Sequence, residues 1–250
     1  MKIEIFPDAA SVARAAAVFI AAESRAAIAA RGLFVAALSG GSTPWLMVRA
    51  FDAEEVLWDA VQVVQVDERI APAGDPERNL THLHENLLGH TLLRPEQIHA
   101  MPVESQDLET AATQYAHTVR ELAGSPSLLD LVHLGLGADG HTASLVPGDP
   151  VLEIAQADVA LTGTYQGRRR MTLTYPILNR ARRVLWLVTG AEKAAMLHRL
   201  QHGDLSIPAG RVRRDTASFL RIAQLRVRLH VRSLSGILLM ARRQHEQSAT

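Results

Sequence analysis

Apolar positions along the chain fall into two kinds of run that take turns. Short blocks of Val, Leu, Ile and Ala occupy residues 3–6, 33–38, 61–66, 129–134 and 184–189, the length and make-up of buried strands. Between them, apolar residues return every three or four positions, as one face of a helix requires. Pro7 and Asp8 start an alanine-rich helix that runs to about Arg31 and stops at Gly32, with Val12, Ala16, Phe19 and Ile28 on its apolar side. Residues 79–88 predict a second such helix through Leu80, Leu83, Leu87 and Leu88, and residues 107–122 a third. Weaker strand signals lie at 159–162 and 171–175, and a short helix at 176–182. Strands alternating with helices predict an α/β chain with a Rossmann-like, mostly parallel sheet flanked by helices.

Three strand ends carry the candidate chemistry. The block at 129–134 breaks into Gly135, Gly137 and Gly140, and presents Asp139 and His141 just past its carboxyl end, where open α/β sheets bind ligands. The spacing Gly135-x-Gly137-x-x-Gly140 also spells a dinucleotide fingerprint. That fingerprint needs a long helix straight after the third glycine, and Pro147 and Pro150 leave no room for one. A catalytic turn around His141 is the better reading. The block at 33–38 leads into Ser39, Gly40, Gly41, Ser42, Thr43 and Pro44, with Pro44 suited to a first helical position and Ser42 or Thr43 to its cap. Such a loop is either a plain strand-to-helix turn or a cradle for an anion such as phosphate.

The block at 61–66 ends in Asp67, Glu68 and Arg69, and alternation sends Asp67 and Arg69 to one side and Glu68 to the other. Residues 71–77, with Pro72, Gly74 and Pro76, read as an irregular rim over a pocket. His82 and His84 stand roughly 200° apart on a helix and cannot chelate one ion, so they read as surface histidines and no metal site is expected. Lys193 lies in the first turn of a helix, the end that prefers acids. By itself it reads as a solvated lysine, and a bound phosphate would give it an anionic partner.

Composition narrows the classes. Lys plus Arg and Asp plus Glu are equal at 26 each, so no global charge recruits nucleic acid or an anionic membrane. The absence of cysteine removes disulfides, thiolate metal sites and cysteine nucleophiles. The opening residues lack the apolar region of a signal peptide, and no apolar run approaches membrane-spanning length; a cytoplasmic enzyme is the expectation.

Taken together, Ser39 to Pro44, Val66 to Arg69, Leu134 to Ser144, Arg170 to Thr174 and Thr189 to Lys193 resemble the 6-phosphogluconolactonases, in order and at suitable distances, over roughly residues 1–212. The resemblance implies hydrolysis of 6-phosphoglucono-δ-lactone to 6-phosphogluconate without metal or cofactor, by a monomer or homodimer. It makes His141 the catalytic histidine and places phosphate at Gly40, Gly41, Ser42 and Lys193, with Thr43 in the same loop. Asp67, Arg69, Asn79 and Arg170 fall at or near the substrate, with Arg168 and Arg169 competing for the last role. The sister glucosamine-6-phosphate deaminases carry a glutamate where this chain has Val146, which favours the lactonase over a deaminase-like isomerase; a non-catalytic sugar-phosphate sensor is the other alternative. Arg78 stands where the lactonases usually have serine. Residues 213–250 form a divergent, arginine-rich tail of unknown role, expected to be peripheral, with strand-like alternation at 225–232.

A sugar lactone is an activated ester, so the catalyst needs to deprotonate water, polarise the carbonyl and hold the ring. Histidine, with an ordinary pKa near ~6.5, suits the first task. Asp139 or Asp67 is the candidate to orient it. Backbone N–H groups of the Gly137–Gly140 turn are the candidate cover for the oxyanion.

Overall fold

The computed structural model describes residues 2–215 and 217–222, and each of the apolar blocks is a strand in it. The chain opens with β1 (Lys2–Phe6) and α1 (Ala9–Arg31). Asp8 accepts a hydrogen bond from the Ser11 N–H at 2.7 Å and fixes the helix start. Gly32 ends it at φ 76°, donating its N–H to the Ile28 carbonyl. The buried face of α1 centres on Val12, Ala13, Ala16, Ala17, Ile20 and Ala21, so Phe19 and Ile28 sit at its margin, only partly buried.

There follow β2 (Phe34–Leu38), α2 (Ser42–Ala50), β3 (Val61–Gln65), the short β4 (Asp67–Arg69) and α3 (Asn79–Leu83), which widens into a π-type turn over His84–Leu88. Next come β5 (Ile98–His99), α4 (Leu108–Ala123) and β6 (Leu131–Leu134). The remaining elements are β7 (Val159–Leu161), β8 (Arg170–Leu173), α5 (Tyr175–Arg180), β9 (Val184–Val188), α6 (Ala194–Gln201) and β10 (Ala217–Ile222).

Seven strands form one parallel sheet in the order β1-β10-β9-β6-β2-β3-β5. Every residue of β2, β6 and β9 is buried, as expected of strands covered on both faces. From β2 the chain moves outward to β3 and β5; from β6 it moves the other way, to β9. The gap between β2 and β6 is therefore a topological switch point, where crevices open at the carboxyl ends of strands.

Two features depart from expectation. The strand end read at Asp67–Arg69 is a strand of its own: the chain changes sheet at Val66, whose N–H donates to Leu38 while its carbonyl accepts from Leu173. Beyond it, β4 pairs antiparallel with β8, and β8 with β7, in a separate small sheet. Second, the sheet continues past residue 212. Strand β10 pairs with β1 on one side and β9 on the other, so Ala217–Ile222 is an interior strand rather than a peripheral tail. The alternation at 225–232 lies outside the described residues. Among the described residues, no helix is long and apolar enough to cross a membrane.

Candidate active site

At the carboxyl ends of β2, β3 and β6 the switch point opens into a cleft of about 500 Å³. Gly40, Gly41, Asp67, Arg69, Asn79, His141, Arg170 and Lys193 all line it, so most of the predicted site residues meet there. Ser39, Trp45, Glu77 and His82 also line it. His82 is thus a cleft residue and not simply a surface one; its ring lies 5.5 Å from that of Trp45.

His141 and Asp139 form a pair. The imidazole Nδ1 lies 2.6 Å from Asp139 Oδ1, and the His141 N–H donates to the same oxygen at 3.1 Å. An ionised carboxylate only accepts, so Nδ1 carries the proton and Nε2 is left as the basic nitrogen. Partial burial works against ionisation of Asp139, but hydrogen bonds from His141 and Tyr165 and the charge of His141 outweigh it and hold the carboxyl below its usual range. The pair folds back over Gly137: a Cβ there would lie 2.1 Å from His141 Nδ1 and 2.7 Å from Asp139 Oδ1. That close approach is what the glycine is for.

Two donors of the same turn are already engaged. The Gly137 N–H bonds the His141 carbonyl at 2.8 Å, and the Gly140 N–H bonds the Gly137 carbonyl at 3.1 Å. Neither is available to an oxyanion; of the donors expected for that role, the N–H groups of Ala138 and Asp139 remain, and Ala138 lines the cleft.

Asp67 belongs to another network. Its Oδ2 accepts from the Ser144 hydroxyl at 2.6 Å, and its backbone carbonyl accepts from the Asn79 side-chain amide at 2.9 Å. The Asn79 oxygen in turn accepts from Arg69 at 3.2 Å. Asp139, not Asp67, therefore orients the imidazole. As alternation predicts, Glu68 points the opposite way, fully buried. Its carboxylate accepts the N–H groups of Arg69, Asn79 and Leu80 and the side-chain amide of Gln65. Arg78 lies buried 3.7 Å from Glu68 and also pairs with Glu104, so the arginine at the usual serine position is a structural counter-charge outside the cleft lining.

The three arginines separate cleanly. Arg168 pairs with Asp75 and Glu77 and clasps the rim loop; Arg169 donates to the Thr162 carbonyl. Arg170 is the one in the cleft, buried, with its guanidinium 5.1 Å from the Tyr165 ring centre. Burial lowers its pKa, an effect that the charge of Asp67 opposes.

On the other wall, Gly40 packs so tightly against Asn79 that a Cβ would lie 1.9 Å from the Asn79 oxygen. Thr43 does not line the cleft: its hydroxyl bonds that of Thr189 at 2.7 Å and ties the first turn of α2 to the loop after β9. The N-cap of α2 is Gly41, which has no side chain to offer, rather than Ser42 or Thr43. Lys193 borders the cleft and has no ion-pair partner among the described residues. No group of three or more His, Asp or Glu side chains there is arranged to hold a metal ion. Sequence reasoning missed Tyr165, Ser144 and Trp45. The glycine of the Gln166-Gly167 turn was the one signal near Tyr165.

The family described as glucosamine-6-phosphate isomerases/6-phosphogluconolactonase matches residues 7–220. The 6-phosphogluconolactonase of Mycobacterium tuberculosis is 36% identical over 232 residues, 87% of this chain and 94% of the relative. That of Synechocystis sp. is 34% identical over 199 residues, 78% of this chain and 80% of the relative. The solved 6-phosphogluconolactonase of Thermotoga maritima superposes with a TM-score of 0.78 at 23% identity, covering 88% of this chain and 98% of that one. A monomeric glucosamine-6-phosphate deaminase reaches the same TM-score at 18% identity, covering 90% and 98%, so the two activities share this fold. By the extent of these matches, the chain belongs to the glucosamine-6-phosphate isomerase/6-phosphogluconolactonase family.

Proposed function

We propose that this cleft hydrolyses 6-phospho-D-glucono-1,5-lactone to 6-phospho-D-gluconate, a step of the oxidative pentose phosphate pathway, with His141 activating the water. The observation that carries the reading is the 2.6 Å contact of His141 Nδ1 with Asp139 in a cleft bordered by Arg69, Arg170 and Lys193. With Nδ1 protonated, Nε2 takes a proton from water as the water oxygen bonds to C1, and the carbonyl π electrons move onto oxygen. The guanidiniums of Arg69 and Arg170, cations on the cleft wall, stabilise this oxyanion. On collapse, C=O re-forms, the C1–O5 bond breaks, and the imidazolium returns its proton to O5. The new carboxylic acid then ionises and releases one proton per turnover.

Lys193 and the Ser39–Gly41 loop hold the phosphate, and Asn79 and Arg69 hold the ring. The phosphate supplies the anionic partner that Lys193 lacks. A deaminase would need a proton-transfer group where Val146 stands, and Val146 is apolar and buried. That observation, with the names of the relatives more than 30% identical, favours the lactonase. The test is proton release from freshly generated 6-phosphogluconolactone. Acceleration far above spontaneous hydrolysis is expected; release at the spontaneous rate would contradict the reading.

A further inference from the structure

The hairpin between β7 and β8 turns on Gln166 and Gly167, both at positive φ (51° and 78°), and Tyr165 and Arg168 exchange backbone hydrogen bonds at 3.0 and 3.2 Å. Two central residues at positive φ make the tight turn whose twist matches paired strands, so the residues on either side are fixed in place. This turn brings Tyr165 against the Asp139–His141 pair. Its hydroxyl donates to Asp139 Oδ2 at 3.0 Å, the carboxylate oxygen that His141 does not use. Its ring meets the His141 ring edge-on, with centres 5.5 Å apart. Against the same ring lies the Arg170 guanidinium. One side chain thus touches the carboxylate, the imidazole and the cation.

We infer that Tyr165 is the positioning residue that holds the Asp139–His141 pair and Arg170 in a single working geometry. The inference rests on the reading of His141 as the base. By donating to Oδ2, the phenol fixes the carboxylate and draws off part of its negative charge, which tempers how strongly Asp139 favours the imidazolium. Other charged or titratable groups border the cleft around His141: Asp67, Arg69, Glu77, His82, Arg170 and Lys193. None of them changes in a Tyr165→Phe variant, which removes the hydroxyl and keeps the ring.

The test is an NMR titration of the His141 imidazole in the parent and in Tyr165→Phe, alongside kcat and KM. In the variant the His141 midpoint is expected to move up, and the acid limb of kcat/KM to move up with it. The expected fall in kcat is roughly tenfold, the lower range for losing an outer hydrogen-bond partner, with KM little changed. Tyr165→Leu, which also removes the face under Arg170, is expected to raise KM in addition. An unmoved or lowered midpoint in Tyr165→Phe overturns the inference, whether or not the melting temperature changes. Because the titration reads His141 directly, it stands apart from the base assignment: turnover retained by His141→Ala would sink that assignment without moving the midpoint.

Discussion

His141 Nδ1 lies 2.6 Å from Asp139 Oδ1, while Asp67 is bonded to Ser144 and Asn79, so the imidazole takes its tautomer from one carboxylate only. Asp139→Asn keeps the size of the side chain but offers an amide that no longer requires a proton on Nδ1. The expected result is an intact fold with kcat reduced on the order of 10²–10⁴-fold and KM little changed, as for a base held in the wrong tautomer. Steady-state kinetics checks it; a loss below about threefold would show that Asp139 does not orient the base.

A Cβ at residue 137 would lie 2.1 Å from the imidazole nitrogen. Gly137→Ala therefore has to push the pair aside, and a displacement near 1 Å costs on the order of 10²-fold in rate. We expect that loss in kcat with the melting temperature near the parent's. Parental kinetics in a folded variant would contradict the geometry.

The glycine turn was legible because its signals are local: an apolar run, close-set glycines, and prolines too near for a nucleotide helix. Gly40 and the side taken by Asp67 and Arg69 were legible for the same reason, whereas Lys193 by itself read as a solvated lysine and came to the site only with the family resemblance. The small sheet was not. Strand β4 consists of three charged residues, and its partner Thr172 is far along the chain, so no window of sequence contains the pairing. Tyr165 was hidden with it, since only that sheet's hairpin brings it to His141. Strand β10 was obscured by the arginines that follow Val212, although both its neighbours in the sheet had been read correctly as strands.

Lys193 borders the cleft with no carboxylate to neutralise it among the described residues. Lys193→Ala is expected to lose about 1.5–3 kcal/mol of phosphate recognition, or roughly 10–150-fold in kcat/KM. An unphosphorylated lactone should show no such difference between parent and variant. An equal effect on both substrates would remove Lys193 from the phosphate site.

His133 gives a pH test of the fold itself. It is fully buried on β6, its Nδ1 faces the Ser39 hydroxyl at 3.2 Å, and its Nε2 has no hydrogen-bond partner. Burial pushes its pKa from 6.5 down to about 3. The unfolded chain protonates this group below its ordinary pKa while the folded chain does not. Its contribution is therefore complete above about pH 6.5 and is lost as pH falls toward 3, by at most about 1.4 kcal/mol per pH unit. In urea denaturation, His133→Gln should show a shallower loss of stability across that window. The same slope in both proteins would contradict a neutral His133.

The most direct measurement is the pH dependence of kcat/KM for the parent and for His141→Ala, each corrected for the lactone's spontaneous hydrolysis. The account predicts a parental limb that falls on the acid side as the imidazole protonates. In the variant it predicts a loss of roughly 10²–10⁴-fold in kcat, no such limb, and substrate binding retained through Lys193 and the Ser39–Gly41 loop. A folded His141→Ala protein with near-parental turnover and the same acid limb would contradict it and return the role of base to Asp67 or Asp139.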